Sequence, residues 1–105
     1  MLRIAIAGCG EIGSRHLQSL AQLEEPASIL LIDPSSDAIA TAKSRFKAIL
    51  PNKARGLISI RECQLKEVGS KIDVAIISSS SGVRASLTRE LLKHTQPKYI
   101  IKEIL

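Results

Sequence analysis

The 105-residue sequence has few aromatics: one Tyr, one Phe and no Trp. Single-stranded nucleic acids are held on aromatic stacking platforms, so the scarcity argues against that class of partner. Cysteine is almost as rare. Cys9 and Cys63 form neither a CxxC pair nor a metal-ligand spacing. They read as reduced thiols of a cytoplasmic protein. Long apolar runs are missing too. The run after Met1 is too short for a signal-peptide core and leads straight into glycines. No stretch approaches membrane-spanning length, so no membrane partner is expected. There is no internal repeat or heptad pattern, and "SSSS" at 78–81 is the only low-complexity patch.

What is present describes one ordinary globular domain: 45% hydrophobic residues, 24% charged, and a length with no room for a second full domain. The formal net charge is +5. Its basic residues are spread along the chain, and the densest stretch, Lys43 to Arg55, alternates with apolar residues as a solvated helix face does. No DNA- or RNA-binding motif accompanies it, so no nucleic-acid partner is expected.

The pattern of the chain alternates strand and helix. Leu2–Ala7 is a short apolar strand ending at Gly8. Glu11 to about Leu23 reads as a helix with Gly13, Leu17 and Leu20 on one face, and Pro26 marks its end. Ser28–Ile32 is a second strand, closed by Asp33-Pro34. Ser35 or Ser36 can cap the next helix, whose core stripe is Ile39, Ala42, Phe46, Ile49 and Leu50. Leu57–Ile60 is a weaker strand, and Leu65–Val68 a helical turn. Asp73–Ile77 is a strong buried strand. Val83, Leu87 and Leu91 line a helix reaching about His94, and Lys98 to about Lys102 is the last strand. Such alternation predicts an α/β fold: a doubly wound parallel sheet of about five strands in the order 3-2-1-4-5.

The stretch "AGCGEIG" stands where this architecture binds ligands. Gly8, Gly10 and Gly13 follow a buried strand and open a helix, and Asp33 lies about twenty residues on. Each part has a mechanical reason. Gly8 permits the turn, Gly10 lets the backbone approach a pyrophosphate, and Gly13 lets helix and strand pack closely. The N–H groups of the helix start, over Gly8, Cys9, Gly10, Glu11, Ile12 and Gly13, face the phosphates. Asp33 can accept hydrogen bonds from the adenosine ribose hydroxyls. Ser78, Ser79 and Ser80 follow the fourth strand at the carboxyl edge and can hydrogen-bond the cofactor's ribose or amide, or else cap the next helix. A carboxylate at position 33 repels a 2′-phosphate and points to NAD. Ser35, Ser36 and nearby basic residues leave NADP open. A methyltransferase also uses a glycine turn with a ribose-binding acid, though with tighter glycine spacing. No serine has a His–acid partner, so nucleophilic catalysis has no support.

The segment "IAIAGCGEIGSRHLQSL", with Gly8, Gly10, Gly13 and His16, resembles the opening of the Gfo/Idh/MocA oxidoreductases, named for glucose-fructose oxidoreductase and inositol dehydrogenase. "DVAIISSSSGVRASLTRELLKH" resembles the family's fourth strand and its Thr-Pro loop beside the nicotinamide ribose. "KYIIKEIL" resembles the fifth strand before a Glu-Lys-Pro motif. Here serines replace Thr-Pro, Arg84 stands where a His usually follows, and the motif reads Glu103-Ile104-Leu105. The family's lysine role therefore falls on Ile104 and is not carried to Lys102. Glu103 is expected to be either solvated or near the nicotinamide end in an intact protein. The resemblance implies a Rossmann domain, residues 1–105, binding a nicotinamide dinucleotide. It also implies that a C-terminal α/β domain, absent here, supplies the substrate pocket, the catalytic His and Asp and an oligomer interface. The expectation is a truncated NAD(P)-dependent oxidoreductase of a sugar, polyol or related hydroxy compound, inactive alone and forming homo-oligomers, with "KYIIKEIL" as an edge for self-association. Catalytic residues within the chain are expected to be none, and no metal is expected. The other reading is a non-catalytic NAD(H)-sensing module.

Overall fold

The computed structural model describes residues 1–51, 56–69, 71–79 and 81–102. Five strands form one sheet: β1 (Leu2–Ala7), β2 (Ala27–Ile32), β3 (Ile58–Glu62), β4 (Val74–Ile77) and β5 (Tyr99–Lys102). Their order is β3-β2-β1-β4-β5, and every neighbouring pair is parallel. Among the described residues three α-helices connect them: α1 (Glu11–Ser19), α2 (Ser36–Ile49) and α3 (Ser81–His94). The anticipated doubly wound sheet is therefore present, in the anticipated order.

The strands sort their side chains by parity. Ile4, Ile6, Ile29, Leu31 and Ile76 point to one face, where Leu17 of α1 and Ile39, Ala42 and Phe46 of α2 cover them. Ala5, Ala7, Leu30, Ile32, Ala75 and Ile77 point to the other, against Leu91 of α3 and Val68 and Ile72. Both faces are thus dry across the three central strands, as a parallel sheet requires. β5 is different. It is one edge of the sheet, and all four of its residues are exposed.

Element bounds differ from the sequence pattern by small amounts with local causes. α1 stops at Ser19, and a 3-10 turn, Leu20–Gln22, tightens its end before Pro26. α2 begins behind Ser35, whose side chain accepts from the Ala38 N–H at 3.2 Å. Ile49, read as part of the core stripe, is 48% exposed at the last position of α2, while Leu50 beside it packs on the core. β3 runs on to Glu62 because Arg61 and Glu62 pair with Leu30 and Leu31, while an edge strand can leave its polar side chains in water. The helical turn is a 3-10 turn, Leu65–Glu67. Among the described residues no helix is long and apolar enough to cross a membrane.

Candidate functional site

Strand register assembles the site. Ala7 pairs with Ile32 on one side and with Ile77 on the other. The next residues, Gly8, Asp33 and Ser78, therefore leave the carboxyl edge of the sheet abreast, although the sequence scatters them. The Gly8 N–H donates to the Ile32 carbonyl at 2.8 Å, and the Ser78 N–H to the Ala7 carbonyl at 2.9 Å.

The three glycines have three different surroundings. Gly8 has φ +99°, a conformation that L side chains avoid. A Cβ there would also lie 2.9 Å from the Ser79 nitrogen. A Cβ on Gly13 would collide with the Gly8 carbonyl oxygen, so only glycine lets α1 approach the turn this closely. Gly10 is the opposite case. Its φ is −70°, and nothing lies within 4 Å of a Cβ placed on it. Neither backbone conformation nor protein packing asks for glycine at position 10. What remains is space, at the first turn of a helix that Gly10 caps without a side chain.

At that helix start the N–H groups of Glu11, Ile12 and Gly13 have no acceptor inside the helix; the ladder begins with the Ser14 N–H on the Gly10 carbonyl at 2.8 Å. Together with the positive end of the helix dipole they suit an anion. Glu11 is exposed and pairs with Arg45 of α2 at 3.3 Å, while Ile12 is half-buried.

Cys9 turns inward. Its side chain is 3% exposed, and burial, with the nearby Asp33 carboxylate adding to it, pushes the thiol pKa up to about 12. Its N–H donates to Asp33 Oδ2 at 2.7 Å. Asp33 Oδ1 accepts from the Ser35 N–H at 2.8 Å. Two backbone donors thus fix the carboxylate beside the glycine turn. Each oxygen keeps a further lone pair for a ligand. Ser78 is also committed to the turn: its hydroxyl donates to the Gly8 carbonyl at 2.7 Å. Ser79 lines the groove described next, whereas Ser80 and Glu103 lie outside the described residues.

Gly8, Gly10, Asp33 and Ser79 open into a groove of about 570 Å³, within the ordinary range of ligand pockets. Its far walls come from residues the sequence pattern had not marked as a site: Pro34 after β2, Leu65 of the 3-10 turn, and Val83, Ser86, Leu87 and Glu90 of α3. Val83, which shares one helix face with Leu87 and Leu91, is 50% exposed and lines the groove. Among the described residues no group of three or more His, Cys, Asp or Glu is placed to hold a metal.

The comparisons agree with this geometry. A sequence model of the Gfo/Idh/MocA family, described as an oxidoreductase family with an NAD-binding Rossmann fold, matches residues 2–103. The chain belongs to the Gfo/Idh/MocA family. It is an NAD(P)-binding Rossmann domain of that family. Among solved structures, a lactate dehydrogenase from Trichomonas vaginalis in complex with NADH and oxamate matches over 97% of this chain at 15% identity and a TM-score of 0.68. A diketoreductase described as catalysing dicarbonyl compounds matches over 97% at 16% identity and a TM-score of 0.67. Identities this low show a shared fold. The chain spans 38% and 41% of those two proteins. No curated protein matches it. The open side of Gly10, the uncapped start of α1 and the tethered Asp33 all fit a dinucleotide.

Proposed function

We propose that this domain serves an oxidoreductase acting on a sugar, polyol or related hydroxy compound, and that it holds the dinucleotide without being catalytic alone. When bound, the nicotinamide supplies the hydride chemistry. The chain's own task is binding and orientation. The N–H groups of Glu11, Ile12 and Gly13 receive the pyrophosphate over the space left at Gly10. Asp33 accepts from the adenosine ribose hydroxyls, and its negative charge disfavours a 2′-phosphate, so NAD(H) is preferred to NADP(H). The apolar groove beyond Asp33 takes the adenine base. Ser79, which lines the groove, belongs to the nicotinamide side.

The observation that carries this reading is the contrast among the glycines. Two are required by the fold, whereas at Gly10 no protein atom lies within 4 Å of a Cβ, which leaves the helix start open to a ligand. Calorimetric titration with NADH and NADPH tests it. NADH is expected to bind saturably, NADPH more weakly. Asp33→Ala is expected to weaken NADH by about tenfold, the worth of a hydrogen bond to a charged acceptor. Equal NADH affinity in the variant, with the fold verified by circular dichroism, contradicts the role given to Asp33.

A further inference from the structure

The groove has an edge whose chemistry is one-sided. Val83, Ser86, Leu87 and Glu90 recur at i, i+3, i+4 and i+7 along α3 and share its groove-facing side. Val83, Leu87 and Pro34 give the groove apolar surface suited to a flat ring. Ser86 and Glu90 add polar atoms to the same wall, and both present acceptors. The Ser86 hydroxyl donates its proton within the helix, to the Val83 carbonyl at 3.1 Å, which leaves only lone pairs for a ligand. Glu90 accepts from Lys93 Nζ at 2.9 Å. That hydrogen bond holds its carboxyl below the usual range, so it is ionised and has no proton to give.

An apolar groove whose α3 lining side chains Ser86 and Glu90 both present acceptors matches a ring that carries an exocyclic amino group. Adenine offers two N–H donors at its 6 position. A 6-oxopurine turns a carbonyl oxygen to the same place, where it faces a carboxylate. From the proposed seating of the dinucleotide, on which this rests, we infer that Glu90, with Ser86, reads the 6-amino group of the base and makes the domain selective for adenine over 6-oxopurine dinucleotides.

The test compares NADH with reduced nicotinamide hypoxanthine dinucleotide, whose purine carries an oxo group at position 6 and a proton on N1, by calorimetric titration of the full chain. The wild type is expected to bind the hypoxanthine analogue about tenfold more weakly. Glu90→Ala is expected to weaken NADH and leave the analogue nearly unchanged, so the ratio falls toward one. Glu90→Gln, whose amide can donate to a 6-oxo group, is expected to improve binding of the analogue. Glu90 is exposed, so these variants are expected to fold. Saturable NADH binding with equal affinity for the analogue overturns the inference and leaves the dinucleotide site standing. So does a tenfold preference that survives both substitutions, since another group then reads the base. Absence of NADH binding in the wild type overturns both readings together.

Discussion

Gly13→Ala is expected to bring the domain close to unfolding, with a loss of about 3 kcal/mol. The added methyl would overlap the Gly8 carbonyl oxygen and lie 2.9 Å from both the Gly8 carbonyl carbon and Ser78 Oγ. The oxygen and carbon are backbone and cannot swing aside. Gly8 is itself held by its N–H on Ile32 and by the Ser78 hydroxyl on its carbonyl. The alternative is for α1 to lift from the sheet, which would uncover Leu17. Against this, alanine gains only about 1 kcal/mol of helix propensity over glycine. The steric term wins. Thermal unfolding followed by circular dichroism should show a fall in Tm of more than about 10 °C for a domain of this size. An unchanged or raised Tm contradicts the close approach of α1 to the glycine turn.

Gly10→Val should do the reverse. With φ −70° and open surroundings, valine fits the backbone and meets no neighbour. Valine is a poorer N-cap than glycine, so a stability cost of up to about 1 kcal/mol is expected. The side chain, however, would stand where the pyrophosphate must come against the helix start. NADH affinity is expected to drop by about a hundredfold. Unfolding and titration, run on the same preparation, separate the two roles. A variant that binds NADH as well as the wild type would show that position 10 does not border the dinucleotide.

The parts of the site that were legible in the sequence are those that depend on local backbone geometry. Gly8, Gly10 and Gly13 sit at fixed offsets from the end of a strand, and Asp33 follows the end of the next one, so spacing alone finds them. What tethers Asp33 was not legible. The Cys9 N–H reaches it across 24 residues, and only the register of β1 on β2 brings the two together. Spacing marks Cys9 only as a member of the turn; its N–H holds the carboxylate while its thiol is buried in the core. The far wall of the groove was hidden for a related reason. Val83, Leu87 and Leu91 share a helical period, but α3 buries Leu91 against the sheet and turns Val83 into the opening. Periodicity identifies an apolar stripe without telling which end of it a neighbour covers. Ile49 shows the same limit at the end of α2, where Leu50 and not Ile49 packs on the core.

The most direct test of a dinucleotide seated on the glycine turn is a 1H–15N spectrum of the labelled chain recorded while NADH is added. The account predicts saturable shifts at Gly8, Gly10, Glu11, Ile12 and Gly13, and at Asp33, Ser78, Ser79 and Val83. The amides of Phe46, Lys47 and β3, away from the groove, should stay in place. Saturating NADH with the glycine-turn amides unmoved, or with the largest shifts on α2 and β3, would contradict it.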